Sequence, residues 1–121
     1  MAHHRLPDLH TLRERIQAHP AALVAELEAA RAASLDAANR HTYLRSPLPE
    51  LEAAIEGARA GRTTPGPLAG LPVSVKDLFD VAGQTTAAGS VVLQGEPPAR
   101  SDCPAVARLR AAGGLIAGAP T

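Results

Sequence analysis

Apolar residues in the first half of the chain recur at intervals of three and four, whereas the second half places short β-branched runs between glycine- and proline-rich turns. Leu9, Leu12 and Ile16 keep the helical interval, and Asp8 stands where its carboxylate can cap a first turn, so the spacing predicts a short amphipathic helix over 8–19. Pro20 suits the first turn of a second helix running to about residue 39, with Leu23, Val24, Leu27 and Leu35 among many alanines. The segment Asn39-Arg40-His41-Thr42-Tyr43 breaks that pattern. Ser46 and Pro47 then open a third helix with Leu48, Leu51, Ile55 and Ala58 on one face, and Gly57 and Gly61 weaken its end.

Residues 61–70, with Pro65, Gly66, Pro67 and Gly70, read as a turn-rich connection. Val73-Ser74-Val75-Lys76 is the strongest strand pattern; period two sets Val73 and Val75 on one face and Ser74 and Lys76 on the other. Residues 83–100 show no period apart from Val91-Val92-Leu93, and a stretch of that length without structure is usually functional. Ser101, Asp102 and Pro104 signal a helix start, Val106 and Leu109 supply its apolar side, and Gly113-Gly114 ends it before a buried strand at Leu115-Ile116-Ala117. A strand, a helix and a strand in that order imply a parallel crossover, hence an α/β class. The elements fall into a helical part over 8–60, a motif strand and loop over 66–100 and a helix–strand unit over 102–118, all within one domain over 1–121.

Composition narrows the picture. The hydrophobic fraction is 45%, but 26 residues are alanine and only Tyr43 and Phe79 are aromatic. At about 25 cal/mol per Å² of buried apolar surface, so few large side chains give a thin core, and the chain is expected to pack against further protein. Twelve basic and twelve acidic residues are interspersed at zero net charge, which offers no electrostatic footprint for nucleic acid or an anionic membrane. The first ten residues lack the apolar stretch of a secretory signal, and no apolar run approaches the roughly 18 residues of a membrane span, so a cytoplasmic location is expected. The single cysteine, Cys103, excludes a disulfide framework, and the His3-His4 pair has no third ligand at helical spacing. His10, His19 and His41 are read as structural, and neither a metal nor a cofactor is expected.

Several standard sites are missing. Ser90 lies in Ala88-Gly89-Ser90-Val91-Val92, without the second glycine of a nucleophile elbow, and Val75 rather than glycine precedes Lys76, which excludes a phosphate loop. Asp77 and Asp80 could act as an acid–base pair, but their spacing just after a strand favours turn caps. Lys76 is the only lysine beside eleven arginines, and lysine, unlike arginine, can give up its proton. Three roles stand beside that of a plain solvated charge: Schiff-base nucleophile, point-charge anion binder, or neutral general base for a serine.

The run Gly66-Pro67-Leu68-Ala69-Gly70-Leu71-Pro72-Val73-Ser74-Val75-Lys76-Asp77, followed by Phe79-Asp80-Val81-Ala82-Gly83, Thr85-Thr86 and Gly89-Ser90, closely resembles the N-terminal part of the amidase signature family. Residues 101–118 resemble that family's next helix and strand, and the helices before residue 60 resemble its helical N-terminal region. The resemblance implies an incomplete amidase signature fold: N-terminal helices, then the first strands and crossover helix of a mixed, mainly parallel sheet. It implies a Ser/cis-Ser/Lys triad whose lysine maps onto Lys76, a small-molecule amide substrate and no cofactor, and it allows a homodimer for the full-length enzyme. Both serines and the glycine- and serine-rich loop of the oxyanion hole lie downstream in the family; Ser74 and Ser90 do not match their positions. After Gly118, where the family commonly runs into Lys/Arg-Thr-Asn, this chain has Ala119-Pro120-Thr121.

The expectation is an N-terminal portion of an amidase that hydrolyses a carboxylic amide to an acid and ammonia or an amine, inactive by itself because it supplies only the lysine. One alternative is the A subunit of a tRNA-dependent glutamine amidotransferase. The other is a catalytically dead, truncated interaction domain.

Overall fold

The computed structural model describes residues 6–62 and 64–121. The His3-His4 pair lies outside the described residues. Helix α1 spans Leu9–Ala18, and Asp8 caps it as expected, its Oδ1 accepting from the Thr11 N–H at 2.8 Å. That bond and the neighbouring His10 hold the Asp8 carboxyl below the usual carboxylate range. Helix α2 spans Ala21–Leu35 behind Pro20. It stops four residues short of the expected end because Asp36 turns to an extended conformation and its Oδ1 takes the Ala38 N–H at 2.9 Å, opening a 3₁₀ turn over Ala37–Asn39. Helix α3, Leu48–Arg59, buries Leu51 and Ile55 on the face that the periodicity marks.

Strand β2 is assigned over Pro72–Val73 and pairs in parallel with β3, Leu115–Ile116, in the register Pro72↔Leu115 and Val73↔Ile116. The expected strand over 73–76 is therefore displaced toward the N-terminus. Hydrogen bonds from Leu115 N to Leu71 O and from Ala117 N to Val73 O, each 2.9 Å, extend the ladder, and a longer one of 3.4 Å runs from Val75 N to Gly118 O. Helix α4, Pro104–Ala111, joins the two strands, which gives the parallel crossover that the element order implies. The helix start signalled by Ser101, Asp102 and Pro104 is found at Pro104; Cys103 occupies the cap position without a side-chain bond, and the Asp102 carboxylate is used elsewhere.

A second small sheet was not legible in the sequence. Strand β1, Tyr43–Arg45, pairs antiparallel with β4, Ala119–Pro120, with an irregular register between Tyr43↔Pro120 and Arg45↔Ala119. Three residues facing two, one of them proline, show no alternation long enough to read. Gly118 permits the approach, since at φ +72° a Cβ there would lie 2.9 Å from the Pro47 Cβ and 3.0 Å from the Arg45 carbonyl oxygen.

Alternation along β3 divides the core. Ala117, flanked by Leu115, joins Leu27 of α2 and Leu51 and Ile55 of α3 in one cluster, while Ile116 joins Val75, Val81 and Val106 of α4 in the other. Helices thus cover both faces of the β2–β3 pair. Leu27, Leu51 and Val106 are the largest fully buried side chains, all of moderate size, as the alanine-rich composition requires. Among the described residues, no helix is long and apolar enough to cross a membrane.

The crossover is closed by backbone on backbone. At Gly66 (φ +112°) a Cβ would sit 2.4 Å from the Ala112 carbonyl oxygen, and at Gly113 (φ +88°) one would sit 2.3 Å from that of Pro65. Beside this contact Leu68 N donates to Ala112 O and Gly70 N to Gly113 O, both at 2.8 Å. Gly83 has a similar φ of +81° with nothing within 4 Å, so it separates conformation from contact. Gly83→Ala is expected to cost about 1–2 kcal/mol from the left-handed backbone alone, and Gly113→Ala about 2–5 kcal/mol because a clash is added. Urea unfolding of the two variants checks the difference.

Candidate active site

Lys76 follows the β2 ladder at its C-terminal end, where open α/β sheets place their ligands. Val73 and Val75 pack into the α4-side cluster, and Ser74 and Lys76 are exposed, as period two predicts. The Ser74 hydroxyl donates to the Ala117 carbonyl at 3.1 Å, which commits it to the neighbouring strand. Among the described residues, no carboxylate lies within ion-pairing distance of the Lys76 ammonium. Lys76 borders a groove of about 160 Å³ between β2 and α4, with Val73, Val75, Phe79, Ala105 and Leu109 as its apolar walls. A larger cleft of about 490 Å³, between the α1–α2 elbow and the end of α3, is lined mainly by apolar side chains with Gln17, Arg59, Arg62 and Thr64, and among the described residues it contains no lysine, histidine or carboxylate.

The turn after Lys76 is pinned repeatedly. The Lys76 carbonyl accepts from Leu78 N at 2.6 Å and Phe79 N at 3.3 Å. Asp77 Oδ1 takes the Ala87 N–H at 3.1 Å, and Asp80 Oδ1 takes the Thr86 hydroxyl at 2.7 Å. Asp77 thus fastens loop backbone and Asp80 a loop hydroxyl, in line with the turn-cap reading. The loop they hold contains a left-handed pair, Ala88 (φ +51°) and Gly89 (φ +76°). The Ser90 hydroxyl accepts from Leu93 N at 3.4 Å inside the next turn, which runs into a short 3₁₀ segment over Leu93–Gly95. Thr85 Oγ1 donates to Glu96 O, and Gln84 and Gly83 exchange backbone bonds with Ala99, so the stretch over 83–100 is an anchored excursion.

Sequence reasoning missed Asp102. Its Oδ1 accepts from Ala82 N at 2.8 Å and its Oδ2 from Arg110 Nε at 2.7 Å, and only 14% of its side chain is exposed. It ties the loop beyond Lys76 to α4, and Cys103 N donates to Asp80 O beside it. A helix-start aspartate gives no sequence signal that its partner lies twenty residues upstream. Cys103 is a free thiol packed at the edge of the α4-side cluster. His10 lies 3.1 Å from Glu14, and His41 accepts from Arg40 Nε, so both have local partners. No group of three potential metal ligands occurs among the described residues.

The arrangement is that of a mixed helix-and-strand α/β unit presenting a single amine on a fastened loop at a strand's C-terminal end. The chain belongs to the Amidase family, whose model matches residues 17–120. It is 51% identical over 65 residues, 54% of this chain and 14% of the relative, to a 1-carboxybiuret hydrolase subunit of Pseudomonas sp. (strain ADP). It is 36% identical over 98 residues, 79% of this chain and 19% of the relative, to the A subunit of the glutamyl-tRNA(Gln) amidotransferase of Rhodopirellula baltica. Among solved structures, an amidase superposes with a TM-score of 0.70 at 32% identity, covering 94% of this chain and 26% of that one. The chain thus spans about a seventh to a quarter of the proteins it matches.

The Ala82 N–H, and then Arg110, hold the Asp102 carboxyl below the usual carboxylate range. A carboxyl whose folded value is depressed stabilises the fold fully above its unfolded value, near 3.9, and loses that contribution as pH falls through the folded value. Asp102→Asn is therefore expected to lower Tm at pH 7, and the gap from the parent should close as pH drops below about 4. Thermal melts across that range measure it.

Proposed function

We propose that this chain is the N-terminal part of an amide hydrolase of the amidase signature type, with Lys76 as the base of its Ser/cis-Ser/Lys triad. The observation that carries the reading is the placement of the only lysine at the end of the parallel strand, on a turn fastened by Asp77 and Asp80. In such a triad the neutral lysine takes the proton of a bridging serine, which in turn takes that of the nucleophilic serine as it attacks the amide carbonyl. Collapse of the tetrahedral intermediate releases ammonia or an amine, and water then frees the acid from the acyl-serine. The two serines come from protein outside this chain. A lysine works as a base near neutral pH when its ammonium is desolvated, and Lys76 is exposed among the described residues. Further protein would supply that cover.

A second reading, the A subunit of a glutamine amidotransferase, is favoured by the match over 98 residues to the Rhodopirellula protein. It uses the same base and differs in taking glutamine as the amide. Both readings share the incomplete amidase signature fold and a cytoplasmic setting.

The test is a chimaera in which this chain replaces the matching N-terminal segment of the amidase of known structure. Turnover of simple amides is expected, and Lys76→Ala should lower kcat by about 10²–10⁴-fold. Lys76→Arg should not restore it, since arginine keeps its proton. Full activity in Lys76→Ala would remove the base from the reading. The isolated 121-residue chain is expected to show no turnover, and amidase activity of that chain lost in Lys76→Ala would refute the need for outside serines. Glutaminase activity appearing only with partner subunits would favour the second reading.

A further inference from the structure

Lys76 stands at the mouth of a short loop whose two ends are held unequally. At the near end the bond from Val75 N to Gly118 O is 3.4 Å, against 2.9 Å for those of Leu115 N and Ala117 N in the same ladder. At the far end Ala82 N donates to Asp102 Oδ1 at 2.8 Å, and Cys103 N donates to Asp80 O at 2.9 Å beside it. Arg110 Nε donates to Asp102 Oδ2 at 2.7 Å, so the carboxylate is itself fixed to α4. Charge-assisted bonds of this kind are about twice as strong as neutral ones, so the far end is the better anchored. The Lys76 carbonyl accepts from Leu78 N and Phe79 N, which places Lys76 on the turn that this anchor holds.

We propose that Asp102, fixed by Arg110, is a positioning residue for Lys76: it sets where the amine stands relative to α4. The side-chain bonds of Asp77 and Asp80 run to Ala87 and Thr86, within the same excursion, so they give the loop its shape without placing it on the helix. The Asp102 carboxylate does place it, and it does so instead of capping the helix that it precedes. Ala105 and Leu109 of α4 line the groove that Lys76 borders, so a loop that shifts on α4 changes both the groove and the direction of the amine. The inference rests on the proposed function for what Lys76 does, whereas the placement is read from the backbone alone.

Lys76 is the only lysine, so the chain grown with isotope-labelled lysine gives one backbone amide signal in the NMR spectrum. Asp102→Asn keeps an acceptor for Ala82 N and loses the Arg110 bond, whereas Asp102→Ala loses both. Each should shift and broaden the Lys76 signal, the alanine variant more. Asp8→Ala removes the cap of α1, lowers stability and should leave that signal in place. In the chimaera, assayed well below its Tm, Asp102→Asn should lower kcat about 10-fold and Asp102→Ala up to about 10²-fold, with KM unchanged. Arg110→Gln should follow Asp102→Asn, and it carries the test where an Asp102 variant does not fold. A Lys76 signal that keeps its parental position in these variants, or a loss of kcat no greater than that of Asp8→Ala, overturns the positioning role. Turnover that survives Lys76→Ala while the Asp102 variants still move the signal removes the catalytic reading and keeps the placement.

Discussion

The position of Lys76 depends on two stretches of backbone that touch without side chains between them. Gly66 faces the Ala112 carbonyl and Gly113 faces that of Pro65, both with left-handed φ angles. A methyl at either place would clash with the facing carbonyl, beside the 2.8 Å bonds of Leu68 and Gly70. Those bonds start the ladder that continues through Leu71 and Val73, so the glycine contact sets the register of β2 on β3. The register decides which residues of the motif reach the core and which emerge. Val75 is buried against α4, and Lys76 is delivered to the surface at the strand's end.

Much of the framework was legible where one interaction dominates a local pattern. Leu9, Leu12 and Ile16 betray α1 because an amphipathic helix repeats its burial every turn, and Asp8 caps it because its carboxylate has no better partner. The order of strand, helix and strand was enough for the parallel pair, since a parallel connection needs a crossover. What stayed hidden is non-local. The β1–β4 pair joins segments far apart in sequence, and Asp102 spends its carboxylate on the Ala82 N–H and the Arg110 side chain instead of capping the adjacent helix. The early end of α2 turns on a local competition at Asp36 that helix propensity does not weigh.

At the candidate site the residue type was readable and its environment was not. The uniqueness of Lys76 and the alternation of Val73 and Val75 are sequence facts, and the family match over 17–120 agrees with the resemblance carried by the motif. Solvation of the amine is a property of everything packed around it, and within this chain that packing comes from one helix and one loop. The loop is nonetheless rigidly specified, with Asp77, Asp80 and Asp102 each holding a backbone or hydroxyl partner. Its geometry is thus fixed within the chain itself by these bonds.

The β1–β4 pairing carries a consequence for the order in which the chain acquires structure. The segment Tyr43–Arg45 leaves the ribosome long before Ala119–Pro120, and Thr42 waits for the N–H of Thr121. Helices α1 to α3 can form as soon as they are made, since their bonds are local, but the strand between α2 and α3 lacks its β4 partner until Ala119–Pro120 appear. Through that interval Tyr43 and Leu44 offer an open edge to any other extended chain nearby. The nascent polypeptide is therefore open to mispairing at this strand until Ala119–Pro120 clasp it.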